Sequence, residues 1–174
     1  MMTIVIFFVV SAGIVYLSWP SLHNRRSHGF YRFFAFESIL ILILLNAKHW
    51  FSQPFALRQI LSWALLIGSL FLAVHGFRLL RVVGQPEGQI EETTQLVTVG
   101  AYRYIRHPLY SSLLLLGWGV FFKEPSLAGL LLAGIATISL VATARVEEAE
   151  NLQKFGNAYT VYMKATKRFI PFLF

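Results

Sequence analysis

The sequence predicts an all-α integral membrane protein. Three observations lead there: the composition, the lengths of the apolar runs, and the placement of the basic residues. Of 174 residues, 56% are hydrophobic and only 13% are charged, against about 45–50% apolar and about 25% charged in ordinary soluble domains. The length suits one membrane domain, 1–174. Cysteine is absent, which excludes disulfides, thiolate metal sites, iron–sulfur clusters and a cysteine nucleophile. The net charge of +7 would suit nucleic acid if the basic residues formed a patch, so their positions decide its meaning.

Five apolar runs read as transmembrane helices. The first, Met2–Trp19, is about 27 Å long at 1.5 Å per residue, close to the hydrocarbon thickness. No basic residue precedes Arg25, so this run reads as a retained span rather than a signal peptide. The others run from Phe33 to about Ala47, Ala56 to Phe77, Leu109 to Phe122 and Ser126 to Ala144. A Lys123-Glu124-Pro125 turn makes the fourth and fifth a short hairpin. The fourth has only 14 residues, which calls for tilt, local thinning or an end that opens onto a cavity.

With this count, 12 of the 15 Lys and Arg fall on one side, and only Lys48, Arg58 and Lys123 on the other. An excess of Lys and Arg marks the cytoplasmic face. The N-terminus is therefore expected outside, with the C-terminus and the active site in the cytosol. Topology accounts for the charge, so no nucleic-acid partner is expected. In the fifth span Gly129, Ala133 and Thr137 recur every fourth position, beside Gly134, Ala136 and Ser139, a spacing that permits close helix packing. Beyond it, Leu152, Phe155, Tyr159 and Tyr162 form one helical stripe. The tail is expected as a cytosolic amphipathic C-terminal helix on the membrane face, anchored by Arg168-Phe169-Ile170-Pro171.

Polar chemistry concentrates in two stretches bordering the hairpin. In the first, Pro108 suits the first turn of the fourth span and pushes His107 out of helical geometry. His107 and Tyr110 would then sit at a helix mouth whose unpaired N–H groups favour a carboxylate or phosphate. In the second, Glu147 and Glu148 emerge from the fifth span, and carboxylates near a bilayer need a partner or a polar cavity. One of the two should lie near His107 and Tyr110; an Arg145–Glu148 salt bridge is the simpler alternative. Opposite charges at one mouth suggest a zwitterionic ligand. Gly156 would let the tail approach another backbone closely. Glu37, just inside the second span, either pairs with Arg32 or serves chemistry. His23, His28, His49 and His75 show no metal spacing, and no metal is expected.

The run LVTVGAYRYIRHPLY, then a small-residue helix, then RVEEAENLQKFGNAYTVYMKATKRFIPF resembles the isoprenylcysteine carboxyl methyltransferase family, integral-membrane methyltransferases with prokaryotic members. The likeness covers about residues 84–174; residues 1–83 match only as three generic spans, expected on the acceptor side. The resemblance implies methyl transfer from S-adenosylmethionine, releasing S-adenosylhomocysteine, to a lipophilic small-molecule or lipid acceptor such as a prenylcysteine-type carboxylate, with membrane lipids around the protein. By the family pattern the cofactor would be held by His107, Pro108, Leu109 and Tyr110, by Tyr102, by the Thr94, Gln95, Leu96 and Val97 segment, and by Glu147 or its neighbour Glu148. Eukaryotic members carry a substrate-linked arginine where this chain has Thr143, a place Arg145 can take. Arg168, Arg145 or Arg106 would orient an anionic acceptor, and Glu148 or Glu37 would serve as base for an amine. Two rival readings are an NADPH-dependent membrane sterol or enone reductase, which usually has asparagine where this chain has Leu109, and a non-enzymatic membrane subunit.

Overall fold

The computed structural model describes residues 2–24, 27–87 and 93–173. Six α-helices follow in order: α1 Met2–Leu22, α2 His28–Leu45, α3 Leu57–Val82, α4 Pro108–Phe121, α5 Leu127–Phe155 and α6 Asn157–Ala165. Short 3-10 turns occupy Ala47–His49 and Gly100–Arg103. No β-strand occurs among the described residues; Pro86 with Thr93, and Ile105 with Lys167, form isolated bridges. Four helices, α1, α2, α3 and α5, are long and apolar enough to cross a membrane. The 14-residue α4 is apolar but falls short of that length.

Element ends differ from the sequence reading where polar residues continue a helix. Ser27 caps α2, its hydroxyl accepting from the Gly29 N–H at 3.2 Å, so this helix starts before Phe33. The fifth helix runs on past Ala144 through Arg145, Glu147 and Glu148 to Phe155. The tail is therefore not one amphipathic helix. Leu152 and Phe155 end α5, while Tyr159 and Tyr162 belong to α6. Gly156 makes the break with a φ of +56°, a left-handed backbone that glycine adopts without steric cost. The close approach expected there does not occur: among the described residues nothing lies within 4 Å of where a Cβ would stand.

Packing groups the chain into two compact units, Met1–Leu66 with Leu114–Glu147, and Ile67–Leu113 with Glu148–Phe174. In the first, α1 packs on α2, and the Ser11 hydroxyl donates to the Glu37 carboxylate at 2.9 Å. Leu42, Val120, Phe121 and Ala133 form the core, with Trp50, Leu66 and Trp118 around it. Ala133, Ala136, Leu140 and Thr143 are buried along α5. Lipid tails are as apolar as these side chains, so close packing and interhelical hydrogen bonds hold such a unit together.

The C-terminal end of α4 shows why this helix stops after 14 residues. The last carbonyls of a helix have no partner within it. Here side chains from α3 and the end of α2 supply them. Asn46 Nδ2 donates to Val120 O at 3.0 Å and Ser62 Oγ to Gly119 O at 2.6 Å, and in the turn just beyond the helix Gln59 Nε2 donates to Lys123 O at 3.2 Å. All three donor residues are buried. The Lys123 side chain, fully buried itself, turns back over the Trp63 ring with its ammonium 3.6 Å from the ring centroid. Its other partners are Gln59 Oε1 at 3.1 Å and Trp50 O at 3.4 Å.

In the second unit Leu80, Val97 and Tyr102 form a small core with Leu79, Val83 and Leu109 beside it. The Gly100 turn lies against α3. A Cβ on Gly100 would meet His75 Nε2 at 2.6 Å, and the same nitrogen accepts from the Ala101 N–H at 3.3 Å. The chain after α6 runs beside the segment that leads into α4. Lys167 N donates to Tyr104 O at 3.0 Å, Arg106 N to Lys167 O at 2.8 Å, and His107 N to Arg168 O at 3.2 Å.

Candidate functional site

The polar centre of the second unit starts from local chemistry. Pro108 opens α4 and leaves His107 just outside the helix. The His107 ring stacks on Tyr110, with centroids 5.4 Å apart and planes at 19°, and Phe169 covers another side at 6.0 Å. Ser111 ties this entrance to the tail, its hydroxyl lying 3.0 Å from His107 O and 2.9 Å from Phe169 O.

Glu148 stands at the middle. Arg106 Nε donates to its Oε1 at 2.7 Å, and Arg168 Nη2 to its Oε2 at 2.6 Å. His107 Nε2 lies 3.3 Å from Oε1. An ionised carboxylate only accepts hydrogen bonds, so the proton of this pair sits on Nε2. The His107 and Glu148 side chains keep 2% and 5% of their exposure, so water screens little of the interaction. Burial alone pushes the Glu148 carboxyl up; hydrogen bonds from His107, Arg168 and Arg106 outweigh it and hold the group well below the usual carboxylate range. The Glu148 hydrogen bond raises Arg168 in turn.

Arg106 has a second task. Its Nη1 donates to Met163 O at 3.3 Å and to Thr166 O, both in the tail. Tyr162 adds a further tie, donating to Tyr102 O at 2.7 Å. Burial pushes the Tyr162 phenol far up, with the Tyr159 phenol adding to the shift.

Of the two glutamates, Glu148 is thus the one the fold sets beside His107. His107, Pro108, Tyr110, Glu148 and Arg168 come together, with Tyr102 joined to the tail through Tyr162. Leu109 packs toward Leu80 and Val97, and Leu96 is half-buried. Thr94 and Gln95 are exposed and bond to Gln85, the Thr94 hydroxyl donating to its carbonyl at 2.9 Å. The Val97 side chain is buried in the apolar core. Arg145 and Glu147 belong to the first unit. Sequence reasoning passed over Ser111 and Thr166, and considered Arg106 for an acceptor rather than for Glu148. Arg106 and Glu148 lie 42 positions apart, a separation no local spacing rule reaches. Among the described residues no cluster of metal-ligating side chains occurs.

Comparison with known proteins decides the family. Residues 57–158, more than half the chain, match the model for phospholipid methyltransferases. The chain belongs to the phospholipid methyltransferase family. This agrees with the likeness to membrane methyltransferases carried by the Arg-His-Pro-x-Tyr and Glu-Glu elements, and the apolar helices make the chain an integral membrane member of that family. Two curated relatives are similar over part of their length. A methanethiol S-methyltransferase of Crocosphaera subtropica is 30% identical over 118 residues, 65% of this chain and 44% of the relative. Methanethiol S-methyltransferase 1 of Bradyrhizobium diazoefficiens is 26% identical over 112 residues, 63% of this chain and 39% of the relative. The chain therefore spans less than half the length of these two family relatives.

Proposed function

We propose that this protein transfers a methyl group from S-adenosylmethionine to a lipophilic acceptor at the membrane, with the donor held beside His107, Tyr110 and Tyr102. One observation carries the reading: a chain of this family gathers Arg106, His107, Glu148 and Arg168 into one buried cluster at the start of α4. The donor set fits the amino acid end of such a cofactor. Two guanidiniums against one carboxylate leave a net positive charge, and the first N–H groups of α4 add to it. The stacked His107–Tyr110 pair offers aromatic surface for adenine or a sulfonium. When bound, S-adenosylmethionine supplies an electrophilic methyl carbon.

The protein's own contribution is alignment and exclusion of water. Glu148 fixes the tautomer and tilt of His107, and Arg106 ties that arrangement to the tail. A carboxylate held so far below its ordinary pKa is a poor proton acceptor, which argues for positioning rather than base catalysis by Glu148. A carboxylate acceptor, such as a prenylcysteine, arrives ionised and needs no base. The names of the two relatives favour a second acceptor class, a small thiol, which must lose its proton before or during transfer. The reading extends to topology: five spans, with α4 and α5 as a short hairpin, the N-terminus outside, and α6 on the cytosolic face. The sorting of 12 of 15 basic residues to one side supports it.

The test is calorimetric binding of S-adenosylhomocysteine and of NADPH to purified protein, followed by methyl-label transfer into phosphatidylethanolamine, a prenylcysteine analogue and methanethiol. Saturable binding of S-adenosylhomocysteine, weakened by His107→Ala, is expected. NADPH binding in its place would end the reading.

A further inference from the structure

Arg145 stands apart from the other arginines that the sequence offers to an anion. Arg106 and Arg168 are both engaged by Glu148. Arg145 is exposed and, among the described residues, has neither an ion pair nor a hydrogen-bond partner. It borders a groove of about 400 Å³ within the first unit, where Ile138, Val141 and Ala142 of α5 face Tyr31 of α2. That volume lies in the range of about 300–1,000 Å³ typical of small-molecule sites. Among the described residues Arg145 is the one charged side chain in the lining. It is also the first charge after the apolar Ser126–Ala144 stretch, so it marks the level where hydrocarbon gives way to headgroups. Among the described residues the Tyr31 hydroxyl has no partner either.

We propose that this groove is a binding site for an anionic membrane phospholipid. The Arg145 guanidinium takes the phosphate through two parallel N–H donors, the Tyr31 hydroxyl donates a further bond, and part of one acyl chain lies along Ile138, Val141 and Ala142. Charge complementarity selects the occupant. A lone guanidinium at the mouth of an apolar groove matches a ligand with one negative end and a long apolar body. Zwitterionic lipid carries its own ammonium and gains less. The proposal is independent of the methyl-transfer reading, since phosphatidylglycerol has no amine to methylate.

The test is native mass spectrometry of the full chain released from detergent, after incubation with equal amounts of phosphatidylglycerol and phosphatidylcholine. The protein is expected to retain phosphatidylglycerol on the order of tenfold over phosphatidylcholine. Arg145→Gln should remove the preference, and Ala142→Trp, which fills the groove, should remove retention of both lipids. Lys164→Gln, at an exposed lysine of α6, should leave the preference intact. Thermal unfolding of each variant checks that it is folded. Equal retention of the two lipids, or equal effects of Arg145→Gln and Lys164→Gln, would mean general surface charge and overturn the site. Competition by soluble glycerol phosphate would show a bare phosphate site. A lipid-free dimer would show that a second copy covers the groove. Either result sinks the proposal.

Discussion

Each unit buries a charge, and the two are held by different means. In the first, the Lys123 ammonium has no carboxylate partner among the described residues; the Trp63 face, one amide oxygen and one backbone carbonyl surround it. In the second, the Glu148 carboxylate has three nitrogen-bearing partners, two of them guanidiniums. A cation over an indole face is stabilised without another full charge, at about 2 kcal/mol or more when desolvated. Nothing there can be exchanged for a ligand's charge, and its neighbour Gln59 also holds the turn after α4 through Lys123 O. The Glu148 cluster carries more positive than negative charge, so a bound anion can share its arginines. The first arrangement suits a fixed joint; the second suits a site.

Substitutions can break that contrast. The largest effect is expected at Glu148. Glu148→Ala takes the carboxylate away from Arg106 and Arg168, and removing one partner of a buried ion pair costs about 3–5 kcal/mol. Thermal unfolding should show that loss, with methyl transfer abolished. Glu148→Gln should keep much of the shape yet still lose transfer; full activity in Glu148→Gln would remove the cluster from the mechanism. Next come the arginines. Arg106→Ala should cost more than Arg168→Ala, because Arg106 also holds Met163 O and Thr166 O. Equal losses would mean that the tail contacts contribute nothing.

Lys123 supplies the other half of the test. Lys123→Ala leaves a cavity beside Trp63 and is expected to destabilise by about 2–4 kcal/mol. Lys123→Met keeps the volume but takes the donor from Gln59 Oε1 and Trp50 O, and should cost less than Lys123→Ala. Neither variant should change transfer per folded molecule. A rate loss in stable Lys123→Met protein would erase the distinction between joint and site.

Acid gives a smaller, graded effect. The folded Glu148 pKa lies below the ordinary value of 4.5, so its stabilising contribution is complete above that pH and is lost as pH falls toward the depressed folded value. Unfolding midpoints should therefore carry the full Glu148 contribution, without change, between pH 5 and 8 and decline below about 4.5, a decline absent in Glu148→Gln. The smallest effect is expected for Tyr162→Phe. It removes one hydrogen bond to Tyr102 O, worth about 0.5–1.5 kcal/mol.

Much of the architecture was legible because it is written along one dimension. Run length and hydropathy locate the long helices, and Pro108 marks a helix start through a rule that acts within a turn, whereas the Ser27 cap went unread and the start of α2 was placed too late. His107, Tyr110 and the glutamate pair stood out for similar reasons, as polar groups at the ends of apolar runs. The break at Gly156 was harder to see, because the Leu152–Tyr162 periodicity continues across it while the backbone does not. The buried Lys123 gave no signal, since a lysine in a short turn ordinarily faces water.

By itself the sequence determined the all-helical fold class, the long apolar helices and the neighbourhood of the polar site, since each follows from residue type and short spacing. Only the tertiary structure decided that Glu148, rather than Glu147, meets His107, and that Arg106 and Arg168 are bound to it while Arg145 is left to a separate groove. The physical reason is distance along the chain. Glu148 lies 42 residues from Arg106 and 20 from Arg168, and which faces of α4, α5 and the tail meet is set by packing that no single segment encodes.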